Sequence, residues 1–233
     1  MIKGYYTAAQ GLLSNQTYLN NISNNIANLN TTAFKPQQTE FSSLLYSNVN
    51  GGSGNLISTG SGAKVESTGI DFTPGTLVKT DAPLDCAILD EGFFAIQNKG
   101  SNAVTYTRNG AFSISVEGNN EYLVDNAGNY VLGSDSQKIE ISQGFDSKAV
   151  GLFNFSNPYG LKLLGNNQFE ATIESGQGTI YNQGSIKPGY LESSAADISS
   201  EMVKMIEASK SFSFNAKMLQ TTDEMEKIVN QLR

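Results

Sequence analysis

Few side chains in this sequence could do chemistry. There is no histidine, which removes the usual general base near neutral pH and the commonest nitrogen ligand of transition metals. The single cysteine, Cys86, lies in the apolar run Leu84-Asp85-Cys86-Ala87-Ile88-Leu89. A thiol in such a run is expected to be a buried packing group rather than a nucleophile, and alone it forms no intrachain disulfide. The Asp and Glu residues are scattered, and no sequence-local pair forms an acid/base couple. Asp125-Asn126-Ala127-Gly128-Asn129 looks like a calcium loop but lacks the ligand spacing and the terminal bidentate Glu, so a hairpin turn is the expectation there. No glycine-rich phosphate loop is present. The chain is therefore expected to hold no catalytic residue, cofactor or metal and not to be an enzyme. A net charge of −7 with no Lys/Arg cluster argues against nucleic acid or an anionic membrane as partner. No apolar run approaches the ~18 residues that membrane insertion needs. The N-terminus lacks the basic segment and apolar core of a cleavable signal, so ordinary rules place the protein in the cytosol unless a dedicated exporter handles it.

The informative spacing lies at the two ends. Tyr5, Ala8, Leu12, Leu19, Ile22, Ile26 and Leu29 recur at three- and four-residue steps, interrupted by Asn15, as in the seam of a coiled-coil helix. Met202, Met205, Phe212, Ala216 and Leu219 repeat the pattern near the C-terminus, and after a slight shift it resumes as Met225, Val229 and Leu232. Residues 1–34 and 197–233 are thus expected to pair as one helical coiled-coil domain. Pro36 should stop the first helix near Asn30-Thr31-Thr32, and Asp197 is the expected N-cap of the last. Across Met1 to Phe34 the only charged side chain is Lys3, while Asn occurs seven times. A helix face of neutral amides suggests protein contact on more than one side. Asn is also a mediocre helix former, and the seam alone buries too little to offset the entropy of ordering about 30 residues. The termini are therefore expected to be frayed in the monomer and to become helical when neighbouring subunits pack around them.

Between the ends the period changes. Residues 35–75 read as a linker and extended inter-subunit segment: Glu40 to Tyr46 carries an apolar stripe fit for one or two helical turns, and Asn48 to Gly62 is almost all Gly, Ser, Asn and Thr. Ala63-Lys64-Val65-Glu66 and Thr76-Leu77-Val78-Lys79 alternate as strands about a turn at Thr73-Pro74-Gly75. From 76 to 196 short alternating runs are separated by turns such as Asn109-Gly110, Gly118-Asn119-Asn120 and Asp125 to Asn129, and Leu84 to Ile96 is the densest apolar stretch. The fold class is α+β, with paired terminal helices and a mainly antiparallel β domain between them.

Several segments together resemble the rod and hook axial proteins of the bacterial flagellum, most closely rod subunits of the distal type. They are Ser23 to Asn28 with Thr31, Phe34 and Lys35; Glu40-Phe41 with Leu44-Leu45-Tyr46; Gly60 to Val65; and Asp85 to Ile96 around Gly92-Phe93-Phe94. They continue with Tyr106-Thr107-Arg108-Asn109-Gly110-Ala111-Phe112; Gly189-Tyr190-Leu191-Glu192; and Glu201-Met202-Val203 through Met205-Ile206 and Asn215 to Thr221-Thr222-Asp223. Ala33 departs from the family, which usually has Gly at the turn ending the first helix; a left-handed turn is disfavoured for Ala.

The resemblance implies a structural subunit of the rod, the drive shaft that carries torque from motor to hook. It implies export through the flagellar apparatus without a cleaved signal, location in the basal body, and helical homo-oligomers around a central channel that contact other rod and hook proteins. Leu12, Leu19, Ile22, Asn24, Asn25, Ile26, Asn28, Leu29, Met202, Met205, Phe212 and Leu219 are the expected subunit-interface residues. The closing segment from Asp197 to Arg233 has eleven charged residues against one in the opening helix, so Lys204, Glu207, Lys210 and Lys217 are the expected channel-facing positions. Two rivals remain open: a hook or proximal-rod subunit, and a β-rich binding module dimerised by its helices.

Overall fold

The computed structural model describes residues 2–50, 56–118, 120–141, 145–181 and 184–232. Residues 51–55 of the Gly/Ser stretch and Asn119 of one expected turn lie outside them. Two long helices, α1 (Ile2–Ala27) and α2 (Ile198–Gln231), bracket a set of short antiparallel strands. The α+β expectation therefore stands. The chain divides into two compact units, one of residues 1–27, 37–70 and 197–233, the other of 28–36 and 71–196.

In the helical unit α1 packs against α2. Asp197 caps α2 as expected, its carboxylate accepting from the Ser199 and Ser200 amides at 3.4 and 3.0 Å. The segment that the sequence suggests as helical turns and linker instead forms a hairpin, Gln37–Ser43 against Ala63–Ile70, with a bulge at Glu40/Phe41. Ser47–Asn50 pairs with Leu56–Thr59 beyond it. Apolar residues at three- and four-residue steps suggest a helix over Glu40 to Tyr46. Two strands that satisfy each other's backbone donors and acceptors prevail there, because a single helical turn cannot recover the cost of its own nucleation. The strand at 63–70 also does not pair with Leu77–Lys79; the latter pairs with Tyr190–Glu192.

In the second unit the main sheet runs in the order 162–165, 168–170, 104–107, 93–97, 130–131, 120–124, 113–117, with 152–154 also on 93–97. Phe93–Gln97 lies at its centre and is buried over Phe93 to Ile96, which explains its apolar run without alternation. One face packs Phe94, Ile96, Leu123 and Val131 with Cys86, Ile88 and Phe112; the other packs Ala95, Leu132 and Phe153 under Tyr106. Asp125 closes the expected hairpin turn, its carboxylate accepting from the amides of Ala127 and Asn129 at 2.8 Å each. The strands 162–165 and 186–188 have no counterpart in the sequence reading, the first being a two-residue hairpin onto 168–170 through Asn166-Asn167, both at positive φ.

Candidate functional site

Among the described residues no group of His, Cys, Asp or Glu could hold a metal ion, and no helix is long and apolar enough to cross a membrane. Cys86 is fully buried, and burial pushes its thiol pKa up to about 12. It is a packing residue at the neutral pH where a nucleophile would need its thiolate. The features that carry specific geometry are the face between the helices and a buried ion cluster in the β unit.

Three side-chain contacts fix the helix register. Asn25 Nδ2 donates to the Glu201 carboxylate at 3.2 Å, Asn15 Nδ2 to Ser211 Oγ at 3.1 Å, and a Cβ on Gly11 would sit 2.8 Å from Asn215 Nδ2. Each of these pairs sums to the same residue total, as antiparallel helices in constant register require. On α2 the facing row is then Glu201, Met205, Ala208, Phe212, Asn215, Leu219 and Thr222, alternating steps of four and three. On α1 it is Ala8, Gly11, Asn15, Tyr18, Ile22 and Asn25. The row is rich in small and amide residues, so it is set by close approach and specific hydrogen bonds as much as by apolar burial.

This register places the interface candidates individually. Ile22 and Asn25 are buried, and Met205, Phe212 and Leu219 lie half-buried on the facing row. Leu12, Leu19 and Ile26 are half-buried one position round from that row, and Asn24 is exposed. Met202 is 54% exposed, also one position off the row. Asn28 and Leu29 follow the end of α1 in a turn. Of the channel candidates, Glu207, Lys210 and Lys217 are exposed, while Lys204 is half-buried with its ammonium 2.7 Å from Glu201.

The amide face of α1 meets the 37–70 hairpin. Asn25 exchanges two hydrogen bonds with the backbone of Gln37, each 2.9 Å; Asn21 Nδ2 donates to Thr39 Oγ1 at 2.7 Å, and Tyr18 meets Phe41 edge to face. The protein contact on a second side is thus supplied in part by the same chain. The opposite side of α2 is left uncovered: Val203, Ile206, Phe214 and Met218 are each more than half exposed.

Sequence reading missed the ion cluster. Lys35, Arg108 and Glu192 lie 157 and 84 positions from one another through Glu192, yet their side chains are only 1–2% exposed and converge on one carboxylate. Lys35 Nζ donates to Glu192 Oε1 at 2.6 Å and to Thr73 O at 2.7 Å; Arg108 Nε donates to Glu192 Oε2 at 3.2 Å, and its Nη2 to Asp90 O at 2.9 Å. The Gly75 amide completes the carboxylate's shell at 2.7 Å. Burial holds the Lys35 ammonium below its ordinary pKa, so its charge is kept by these partners against desolvation. Among the described residues no buried side-chain nitrogen or oxygen lacks a hydrogen bond. The only sequence trace of the cluster is that each member sits in a separate segment of the family-like pattern: Phe34-Lys35, Thr107-Arg108-Asn109-Gly110 and Gly189-Tyr190-Leu191-Glu192. Ala33, next to it, adopts φ 54° despite its Cβ, because its amide donates to Glu192 O at 2.8 Å.

The chain thus has paired terminal helices, an antiparallel β unit between them in sequence, and exposed apolar residues on the last helix. Residues 187–232 match the family model "Flagellar basal body rod FlgEFG protein C-terminal" and residues 87–153 match "Flagellar hook protein FlgE/F/G D1 domain". Over its whole length the chain is 32% identical to the flagellar basal-body rod protein FlgG of Buchnera aphidicola subsp. Acyrthosiphon pisum, covering all of that protein. It is 34% identical to FlgG of Caulobacter vibrioides over 97% of this chain and 98% of the relative. The flagellar hook-basal body complex protein FlhP of Bacillus subtilis aligns along both full lengths at 28% identity. The chain belongs to the flagellar basal-body rod protein family. It is a structural rod subunit of the basal body and assembles with other rod and hook proteins.

Proposed function

We propose that this subunit polymerises helically through its terminal helices into the hollow shaft that carries torque from motor to hook, after export without a cleaved signal. The observation that supports this is α2. One face of it packs on α1, while Val203, Ile206, Phe214 and Met218 expose apolar surface on another. Glu207, Lys210 and Lys217 stand among them, but a helix face that met water alone would not also carry four large apolar side chains. Further copies of the same helix pair supply cover for that face, and their partners include neighbouring copies, adjacent rod and hook subunits and the export apparatus. Leu12, Leu19, Ile22, Asn24, Asn25, Ile26, Asn28, Leu29, Met202, Met205, Phe212 and Leu219 serve this interface directly or by holding the helix pair in register. Glu207, Lys210 and Lys217, with Lys204 at the edge of the seam, face the water-filled channel.

The test is replacement of the chromosomal gene by a Phe214→Asp allele, with electron microscopy of purified basal bodies. Phe214 is 66% exposed, so the monomer should fold while rod growth stops at the level this subunit occupies. Full-length rods built with the Phe214→Asp variant would overturn the reading. A soluble dimer whose stability the variant leaves unchanged would favour the β-rich module dimerised by its helices.

A further inference from the structure

The backbone passes between the two units four times, at residues 27/28, 36/37, 70/71 and 196/197. Within the β unit, three of the stretches leading to those passages are hydrogen-bonded to one another. The Asp71 amide donates to Pro36 O at 2.9 Å and the Ala195 amide to Phe34 O at 3.0 Å; the Ser193 amide donates to Thr76 O at 2.8 Å. Glu192 stands at the middle: its carbonyl receives the Ala33 amide, and its carboxylate receives Lys35 from the first stretch, Gly75 from the second and Arg108 from the sheet. Residues 33–36, 71–76 and 192–195 are far apart in sequence. They share one buried anion between two buried cations.

We infer that the Glu192 carboxylate locks these three links into one cooperative collar that opens as a whole or not at all. Removing the anion leaves two buried cations without a counter-charge, a far larger penalty than the loss of any one hydrogen bond. The links therefore cannot loosen singly: freeing the 71–76 link removes the Gly75 donor and the Thr73 acceptor, and freeing 33–36 removes Lys35.

Hydrogen exchange on the full-length monomer tests this at five amides: Ala33, Asp71, Gly75, Ser193 and Ala195. In the wild-type chain they should share one opening free energy, each rate being divided by that amide's intrinsic exchange rate. In the Glu192→Gln variant all five should accelerate together by roughly 100-fold or more, while the sheet-core amides of Leu123 and Leu132 keep their rates. Lys35→Met, which leaves the Arg108–Glu192 pair balanced, should give a smaller acceleration common to the same five, and it decides the matter if the Gln variant does not fold. Acceleration confined to Gly75, or five unrelated opening free energies in the wild-type chain, would overturn the collar. The measurement uses the monomer, so failure of the chain to enter basal bodies would refute the rod reading without altering these rates.

Discussion

At Ala33 two costs oppose each other. A left-handed backbone costs a non-glycine residue about 1–2 kcal/mol, yet the methyl group is 1% exposed and its burial recovers part of that. Ala33→Gly relieves the strain but loses the methyl and adds unfolded-state entropy, so its stability in urea should stay within ~0.5 kcal/mol of wild type. Ala33→Val, β-branched at positive φ in a filled site, should lose ~2 kcal/mol or more. Equal losses for both would show that the conformation is unimportant. Cys86 gives a second residue-scale test. Its thiol is pushed up to about 12 in the fold, whereas in the unfolded chain it ionises near ~8.5–9. Between those values the native state holds one more proton than the unfolded state, so stability falls as pH rises, by about 1.4 kcal/mol per pH unit from this group. Cys86→Ala should remove that increment of alkaline loss while costing ~1 kcal/mol at pH 7. A thiol reagent at pH 8 should label the wild-type protein only after denaturation.

At the scale of elements, the helix pair shows what was legible in the chain and what was not. The existence of both helices, the Asp197 cap and the antiparallel β region all follow from local pattern. The rotation of the seam does not, because Gly11 and Asn15 carry no apolar signal, while the leucines one position round are more conspicuous in sequence but only flank the contact row. The 37–70 hairpin is hidden for a similar reason: its strands satisfy one another and α1 through amides and hydroxyls, and its apolar residues fall at spacings that also fit a helical turn. The Lys35–Arg108–Glu192 cluster depends wholly on tertiary convergence, so no sequence-local pattern marks it. The register itself is testable at Gly11, whose missing Cβ leaves room for Asn215. Gly11→Leu should destabilise the helical unit by ~1–3 kcal/mol despite its better helix propensity. Asn215→Gly in the same chain should restore at least half of that loss. Independent, additive effects of the two changes would refute the register.

For the whole molecule, the uneven cover of the helices decides what assembly must add. α1 lies between α2 and the hairpin, so its 26 residues have neighbours on two sides within one chain. The 34 residues of α2 bury only Glu201 and Ala208. By the constant register, everything beyond about Glu224 extends past the start of α1 and has no facing helix. Propagation of an isolated helical end is marginal in water, and Met225, Ile228 and Leu232 are exposed there. The expectation of frayed termini thus sharpens to one end: in the monomer α1 and the first half of α2 are ordered, and the last two turns of α2 fray. Limited proteolysis of the monomer should cut first after Thr222, leaving α1 intact, and circular dichroism at 222 nm should gain only a few residues' worth of helix on polymerisation. Polymer should protect the same site. A large rise in helix signal with early cleavage inside α1 would mean that the hairpin does not hold the first helix. A C-terminus equally resistant in monomer and polymer would mean that α2 needs no further cover.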